Sequence, residues 1–219
     1  VPGSIQYIAE SMKMMLDAGC RHIAGNCAYE PVYTAEDANG LYKQLKEVSR
    51  YVIENKWDVA IGMLDEQVGG GEKNDRNYCG GTGAMLAFAP DGSAYPCIRY
   101  APISVGKEKA DKVCLGNVTE GGLYATEQQR KVKEELDAIT MKSQSTRECI
   151  ECPVSSGCGW CSGLNYDLYG TANKRCTNIC MAHKARVLAV CWYCNARSLA
   201  MGDMEPKKVN LPYEEVERL

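Results

Sequence analysis

Residues 149–161 read Cys149-Ile150-Glu151-Cys152-Pro153-Val154-Ser155-Ser156-Gly157-Cys158-Gly159-Trp160-Cys161. Four cysteines fall within this short run, at intervals of x2, x5 and x2. An ordinary apolar core has no use for sulfur at that density. A chain wrapped around a metal centre does, with Gly157 and Gly159 letting the backbone curl. Trp160 is the one large apolar side chain in the run, so packing alone is not expected to hold it. The remaining cysteines are read as partners of this knot.

The chain has 219 residues, enough for one medium domain or two small ones with a real core. Hydrophobic content of 45% and charged content of 24% are ordinary for a soluble protein. A net charge of −3 points to neither a nucleic-acid nor a membrane-surface partner. No apolar run approaches the ~18 residues of a spanning helix, and no signal peptide is visible, so a cytoplasmic protein is expected. The first residue is Val1 rather than Met, and the sequence is read as a fragment of a longer chain.

Thirteen cysteines cannot all pair within one chain, and a chain of this length needs no disulfide staples. Reduced, metal-binding thiols are the better reading. His22 and His183 are the only histidines, which favours all-thiolate ligation over mixed Cys/His zinc sites.

Ser4 is expected to cap a helix ending near Ala18 and Gly19, with Ile5, Ile8, Met12, Met15 and Leu16 on its apolar face. Arg21 to Cys27 reads as a strand. Thr34 and Asp37 form a capping box for a helix to about Glu54 that buries Leu41, Leu45, Val48 and Val52. Val59 to Leu64 reads as a second strand. Helix–strand–helix–strand is a piece of a parallel α/β layer. Polar residues at the strand ends, Asn26 and Glu66 among them, are site candidates equally readable as solvated loop. Cys20 and Cys27 are expected to be small core residues. Val68 to Asn77 is a Gly-rich linker. Met85 to Ala89 and Ser93 to Ile98 flank a Pro90-Asp91-Gly92 turn, a hairpin signature. Residues 99–122 read as loop, a polar helix follows from about Thr126 to Ile139, and another runs from about Met181 to Ala200. The tail from Gly202 is charged and expected to be peripheral.

Two arrays stand out: Cys79-x12-Gly92-x4-Cys97, and Cys149-x2-Cys152-x5-Cys158-x2-Cys161 followed by Cys180. Together they resemble the SPASM domain of radical S-adenosylmethionine enzymes, over about residues 77–195. The final interval departs from the family's x3. The phrase Gly157-Cys-Gly-Trp-Cys-Ser-Gly-Leu-Asn-Tyr, with Met181-Ala-His-Lys-Ala, resembles enzymes that modify ribosomally made peptides. The resemblance implies an α/β chain. Residues 1–76 would be the C-terminal units of a partial (β/α)6 radical SAM barrel. Residues 77–195 would form a small cysteine-rich iron–sulfur domain with a β-hairpin and helices, and 196–219 a tail.

By the resemblance, Cys79, Cys97 and Cys161 serve one auxiliary [4Fe–4S] cluster, and Cys149, Cys152, Cys158 and Cys180 a second. The fourth ligand of the first stays open: either Cys114 supplies it or one iron faces a substrate group. Cys176, Cys191 and Cys194 match nothing in the pattern. The radical-generating Cys-x3-Cys-x2-Cys run is missing, so this chain alone is expected to be inactive. S-adenosylmethionine and a third [4Fe–4S] cluster would belong to the full-length enzyme. The implied partners are a peptide substrate and an electron donor such as flavodoxin or ferredoxin, and thioether formation is the first bond to consider. The alternative is a structural zinc-binding protein, because Cys-x2-Cys pairs also suit Zn²⁺. A thiol–disulfide oxidoreductase using Cys191 and Cys194 is a third reading.

Overall fold

The computed structural model describes residues 1–65, 67–68, 75 and 78–208. Glu66 and most of the expected linker lie outside them. The chain starts in a 3-10 turn, Pro2–Tyr7, followed by α1, Ile8–Asp17. Ser4 does not cap the helix as expected. Pro2 starts the turn early, and the Ser4 hydroxyl donates to the Val1 carbonyl at 3.0 Å. Ile5, Met12 and Leu16 are buried, whereas Met15 is exposed.

Strand β1, His22–Ile23, and β2, Ala60–Ile61, pair in parallel with Ile23 opposite Ile61. Both are shorter than the sequence implied. After Ile61 the chain tightens into a 3-10 turn, Gly62–Leu64, that buries Met63 and Leu64. Between the strands runs α2, Ala35–Glu54, closed by the expected capping box: the Asp37 N–H donates to Thr34 Oγ1 at 3.1 Å, and Asp37 Oδ2 accepts from the Thr34 N–H at 2.8 Å. Leu41, Leu45, Val48 and Val52 are wholly buried on its inner face.

Strands β3, Ala87–Phe88, and β4, Ser93–Tyr95, form an antiparallel hairpin at the expected place. The segment read as loop is instead structured. It holds a 3-10 turn, Ile98–Tyr100, then α3, Pro102–Val105, and α4, Lys107–Asp111. Strands β5, Gly116–Asn117, and β6, Gly122–Leu123, complete a four-stranded antiparallel sheet of order β3-β4-β5-β6. Helix α5, Glu127–Asp137, lies where a polar helix was expected and is capped by Thr126. Three short helices follow: α6, Met141–Gln144, α7, Arg147–Glu151, and α8, Ser162–Tyr169. Last comes α9, Cys180–Met201.

The chain divides into two compact units, each built from more than one stretch of sequence. The first takes Val1–Lys73, Cys152–Gly159 and Thr177–Leu219; the second takes Asn74–Glu151 and Trp160–Cys176. Helix α9 belongs to the first because Ala182, Ala185, Ala189 and Tyr193 share a core with Leu41, Leu45 and Val48 of α2. The second unit has its own core around Tyr95, Tyr100, Leu115, Val132, Leu136 and Tyr166. The start of the tail is not peripheral. Asp203 pairs with the guanidinium of Arg197 at 2.7 Å, and the Lys207 N–H donates to Asn195 Oδ1 at 2.7 Å. No helix among the described residues is long and apolar enough to cross a membrane.

Thr34 is an exposed cap and Leu45 a wholly buried anchor, so their losses should differ. Thr34→Ala is expected to lower the unfolding free energy by about 1 kcal/mol. Leu45→Ala is expected to lower it by ~3 kcal/mol, because it leaves a cavity. Urea melts read both, and equal losses would contradict the burial assigned to α2.

Candidate functional site

The knot is held at both ends by packing, although its scarcity of large apolar side chains argued against this. Val154 is wholly buried among Val68, Val187, Val190 and Cys194, and the His183 ring Nε2 lies 2.6 Å from its carbonyl. Gly157 takes φ +69 between these anchors and Cys158, a conformation glycine adopts without strain. Trp160 packs into the core of the second unit. The passage between the two units therefore falls at Gly159–Trp160, and it separates Cys158 from Cys161.

In the second unit, Cys79, Cys97 and Cys161 come together from three elements. Cys79 opens a turn whose Thr82 hydroxyl donates to its carbonyl at 2.7 Å. Cys97 leads from β4 into the 3-10 turn, and Cys161 is the N-cap of α8. The Cys79 Sγ lies 3.1 Å from Ser162 Oγ, across 83 positions of sequence. Gly81 lets the group close up. A Cβ there would stand 2.8 Å from Ser162 Oγ and 3.1 Å from Cys97 Sγ. Helix α8 gets equally close to the turn after Cys97, because Gly163 presents no side chain to the backbone of Arg99.

Each sulfur has a hydrogen-bond donor at hand. Leu164 N–H points at Cys161 Sγ at 3.4 Å, and Ser162 faces Cys79. The backbone N–H groups of Arg99 and Tyr100 act on Cys97. Burial pushes the Cys97 thiol up, the Arg99 N–H works against this, and Cys161 and Cys79 push it further up. A soft cation would reverse that balance by favouring thiolate. Among the described residues, no three His, Cys, Asp or Glu side chains close around a single metal ion. Thiolates around a multi-iron cluster stand farther apart, since iron and sulfide lie between them. A convergent, donor-rich set of cysteine sulfurs fits such a group.

Cys114 lies in the same unit, with its Sγ 3.4 Å from the Gly116 carbonyl. Cys149 sits in α7, also within the second unit. Cys152, Cys158 and Cys180 all belong to the first unit. Cys158 packs against its core, and Cys180 opens α9. Of the unplaced cysteines, Cys176 and Cys194 are buried, and Cys191 Sγ faces the Lys207 carbonyl at 3.2 Å.

A cleft in the first unit is lined by Asn26, Cys27, Tyr29, Met63, His183 and Arg186, with Gly159 at its edge. It opens beyond the carboxyl ends of β1 and β2, where ligands of α/β layers gather. Arg186 donates through Nε to the Met63 carbonyl at 3.1 Å and also to the Gly62 carbonyl. Burial works against its charge, while Asp65, Cys27 and Tyr29 support it. Cys27 packs partly buried against the core, close to expectation, but Cys20 is exposed, contrary to it. Gly19 ends α1 and Cys20 closes the turn back onto Met15, which leaves its thiol outside.

Sequence reasoning missed Ser162, Tyr100, His183 and Arg186. Ser162 directly follows a knot cysteine and Tyr100 stands three places after Cys97. That adjacency was the signal available.

No family model matches the chain, and no curated protein matches it. Among solved structures it is similar in fold to histidine-tagged anSMEcpe with bound AdoMet, at a TM-score of 0.52 and 16% identity. That protein is an anaerobic sulfatase-maturating enzyme, of the radical SAM class with a SPASM domain. The likeness covers 100% of this chain and 55% of the other, so the chain spans little more than half that protein's length.

Burial raises the Cys27 thiol above its ordinary 9.0, the hydrogen bond with Tyr33 notwithstanding. A raised pKa means less thiolate at neutral pH, so alkylation should keep accelerating as pH rises through 9. Peptide mapping after iodoacetamide pulses should show exposed Cys20 modified first at pH 7.5. A Cys27 rate that levels off below pH 9 would contradict the burial.

Proposed function

We propose that this chain is the cluster-bearing part of a radical S-adenosylmethionine enzyme that modifies a ribosomally made peptide. Its cysteines hold two auxiliary [4Fe–4S] clusters: Cys79, Cys97 and Cys161 ligate one, and Cys152, Cys158 and Cys180 the other, with Cys149 added by the family resemblance. The observation that carries this reading is the meeting of Cys79, Cys97 and Cys161 around Gly81 and Ser162. These are the three positions that the resemblance assigns to one cluster, and nothing in their sequence separation requires them to meet. The unit boundary between Cys158 and Cys161 supports keeping those two apart, whereas Cys149 falls in the other unit from Cys152, Cys158 and Cys180 and rests on the resemblance alone. The fold likeness to anSMEcpe supports the wider enzyme class.

Iron–sulfur clusters supply one-electron sites whose potentials depend on burial and on hydrogen bonds to sulfur. The chain's own groups set both: the backbone N–H groups at Arg99, Tyr100 and Leu164, and the hydroxyl of Ser162, meet the sulfurs from inside a packed unit. The proposed role is electron relay and docking of the peptide. In this proposal, S-adenosylmethionine cleavage needs the Cys-x3-Cys-x2-Cys run that this sequence lacks, and a flavodoxin or ferredoxin supplies electrons.

Anaerobically purified protein is expected to be brown, with ~8 irons and matching sulfide. Zinc without sulfide would overturn the reading in favour of a structural zinc protein. Cys161→Ser should disturb the same paramagnetic centre as Cys97→Ser, and Cys158→Ser the same centre as Cys180→Ser. Matching spectra for Cys158→Ser and Cys161→Ser, distinct from the other two, would show that the run closes one cluster. With reductant and S-adenosylmethionine, the 219-residue chain should release no 5′-deoxyadenosine above background.

A further inference from the structure

Tyr100 is wholly buried, and its hydroxyl has no hydrogen-bond partner among the described residues. Buried hydroxyls are nearly always satisfied, since an unmade bond leaves the full cost of desolvation uncompensated. Other buried tyrosines in the chain obey this. Tyr166 donates to the Lys109 carbonyl at 2.8 Å, Tyr33 to the Ala28 carbonyl at 3.1 Å, and Tyr193 accepts from Arg197 at 2.6 Å. Among the described residues, the Tyr100 hydroxyl is the buried side-chain oxygen without a partner, and it lies near the sulfur group.

The groups that act on its phenol are Ser162 and the sulfurs of Cys97, Cys79 and Cys161. Ser162 Oγ lies 3.1 Å from Cys79 Sγ, where either group can donate, and its approach to the Tyr100 phenol falls short of a well-formed hydrogen bond. The ring itself has little freedom. It ends the 3-10 turn that begins after Cys97, its N–H closes on the Cys97 carbonyl at 3.0 Å, and it packs on the Tyr166 ring at 5.5 Å. A fixed, dry O–H within electrostatic reach of three cysteine sulfurs has its partner supplied when those sulfurs hold something.

We propose that Tyr100 donates its phenolic O–H to a sulfur of the iron–sulfur group held by Cys79, Cys97 and Cys161, and thereby raises that group's reduction potential. The inference rests on the function proposed above. A hydrogen bond to sulfur draws electron density away from the irons and stabilises the reduced, more negative state.

The test uses anaerobically purified wild type, Tyr100→Phe and Tyr166→Phe, with iron and sulfide measured first. Absence of sulfide from the wild type would overturn the proposed function, and this inference with it. With sulfide present, Tyr100→Phe should keep the wild-type iron and sulfide content. Its midpoint in a redox titration followed by electron paramagnetic resonance should be lower than wild type. Pulsed spectra in heavy water should show that it has lost one exchangeable proton coupling. Tyr166→Phe removes the other hydroxyl of the same ring pair, which bonds the Lys109 carbonyl, and should leave midpoint and coupling unchanged. An unchanged midpoint and coupling in Tyr100→Phe would overturn the inference alone. A phenolate-to-iron absorption band in the wild type, lost in Tyr100→Phe, would also overturn it, by making Tyr100 a ligand instead of a donor. Should Tyr100→Phe fail to fold, 3-fluorotyrosine placed at position 100 keeps the shape and strengthens the donor. The midpoint should then rise, and no change would overturn the inference.

Discussion

The hydrogen bond between the His183 ring and the Val154 carbonyl, 2.6 Å long and buried, is the fastening on which the cysteine-rich run depends. Val154 is the side chain that draws residues 152–159 into the first unit, and its carbonyl would be costly to bury without a donor. With that carbonyl satisfied, Cys152 and Cys158 stay in the unit that contains Cys180. Two residues beyond Gly159, Cys161 already caps α8 in the other unit, alongside Cys79 and Cys97. A run that looks like one site in sequence is thus divided by one buried valine and one half-buried tryptophan.

Around Cys97 the electrostatics conflict without a cation. Desolvation and the neighbouring sulfurs disfavour its charge, and only backbone N–H groups oppose them. A metal bound there would expel protons while it supplied positive charge, and would couple the folding of this unit to what it held. The Tyr100 hydroxyl belongs to the same balance: a buried donor without a partner costs free energy, and a sulfur-rich group beside it would offset that cost.

Much of this was legible in the sequence where a local rule acts alone. The period of Leu41, Leu45, Val48 and Val52 and the Thr34–Asp37 box are enough to define α2, and Thr126 marks the start of α5. Strands β5 and β6 were hidden because Gly116-Asn117 and Gly122-Leu123 lack alternation and β-branched residues. Helix α8 was hidden because its cap is the thiol of Cys161, which is outside the usual set of capping side chains. The resemblance named Cys79, Cys97 and Cys161 together, and all three lie in the second unit. Ser162 and Tyr100 carry no motif, and their relation to the sulfurs exists only through tertiary packing, with Gly81 and Gly163 permitting the approach.

The interleaving of the units has a consequence for how the chain is made. The polypeptide crosses from one unit to the other at residues 73–74, 151–152, 159–160 and 176–177. Helix α2 emerges from the ribosome early, but its packing partner α9 does not begin until Cys180. The part of the α2 face that packs on α9 must therefore wait, covered only on its α1 side, through the synthesis of the entire second unit. Such distant pairings fold slowly and leave sticky surface exposed in the interim. Truncation before α9 would strand that face permanently, so dissecting the chain into halves should yield aggregation in place of two working pieces.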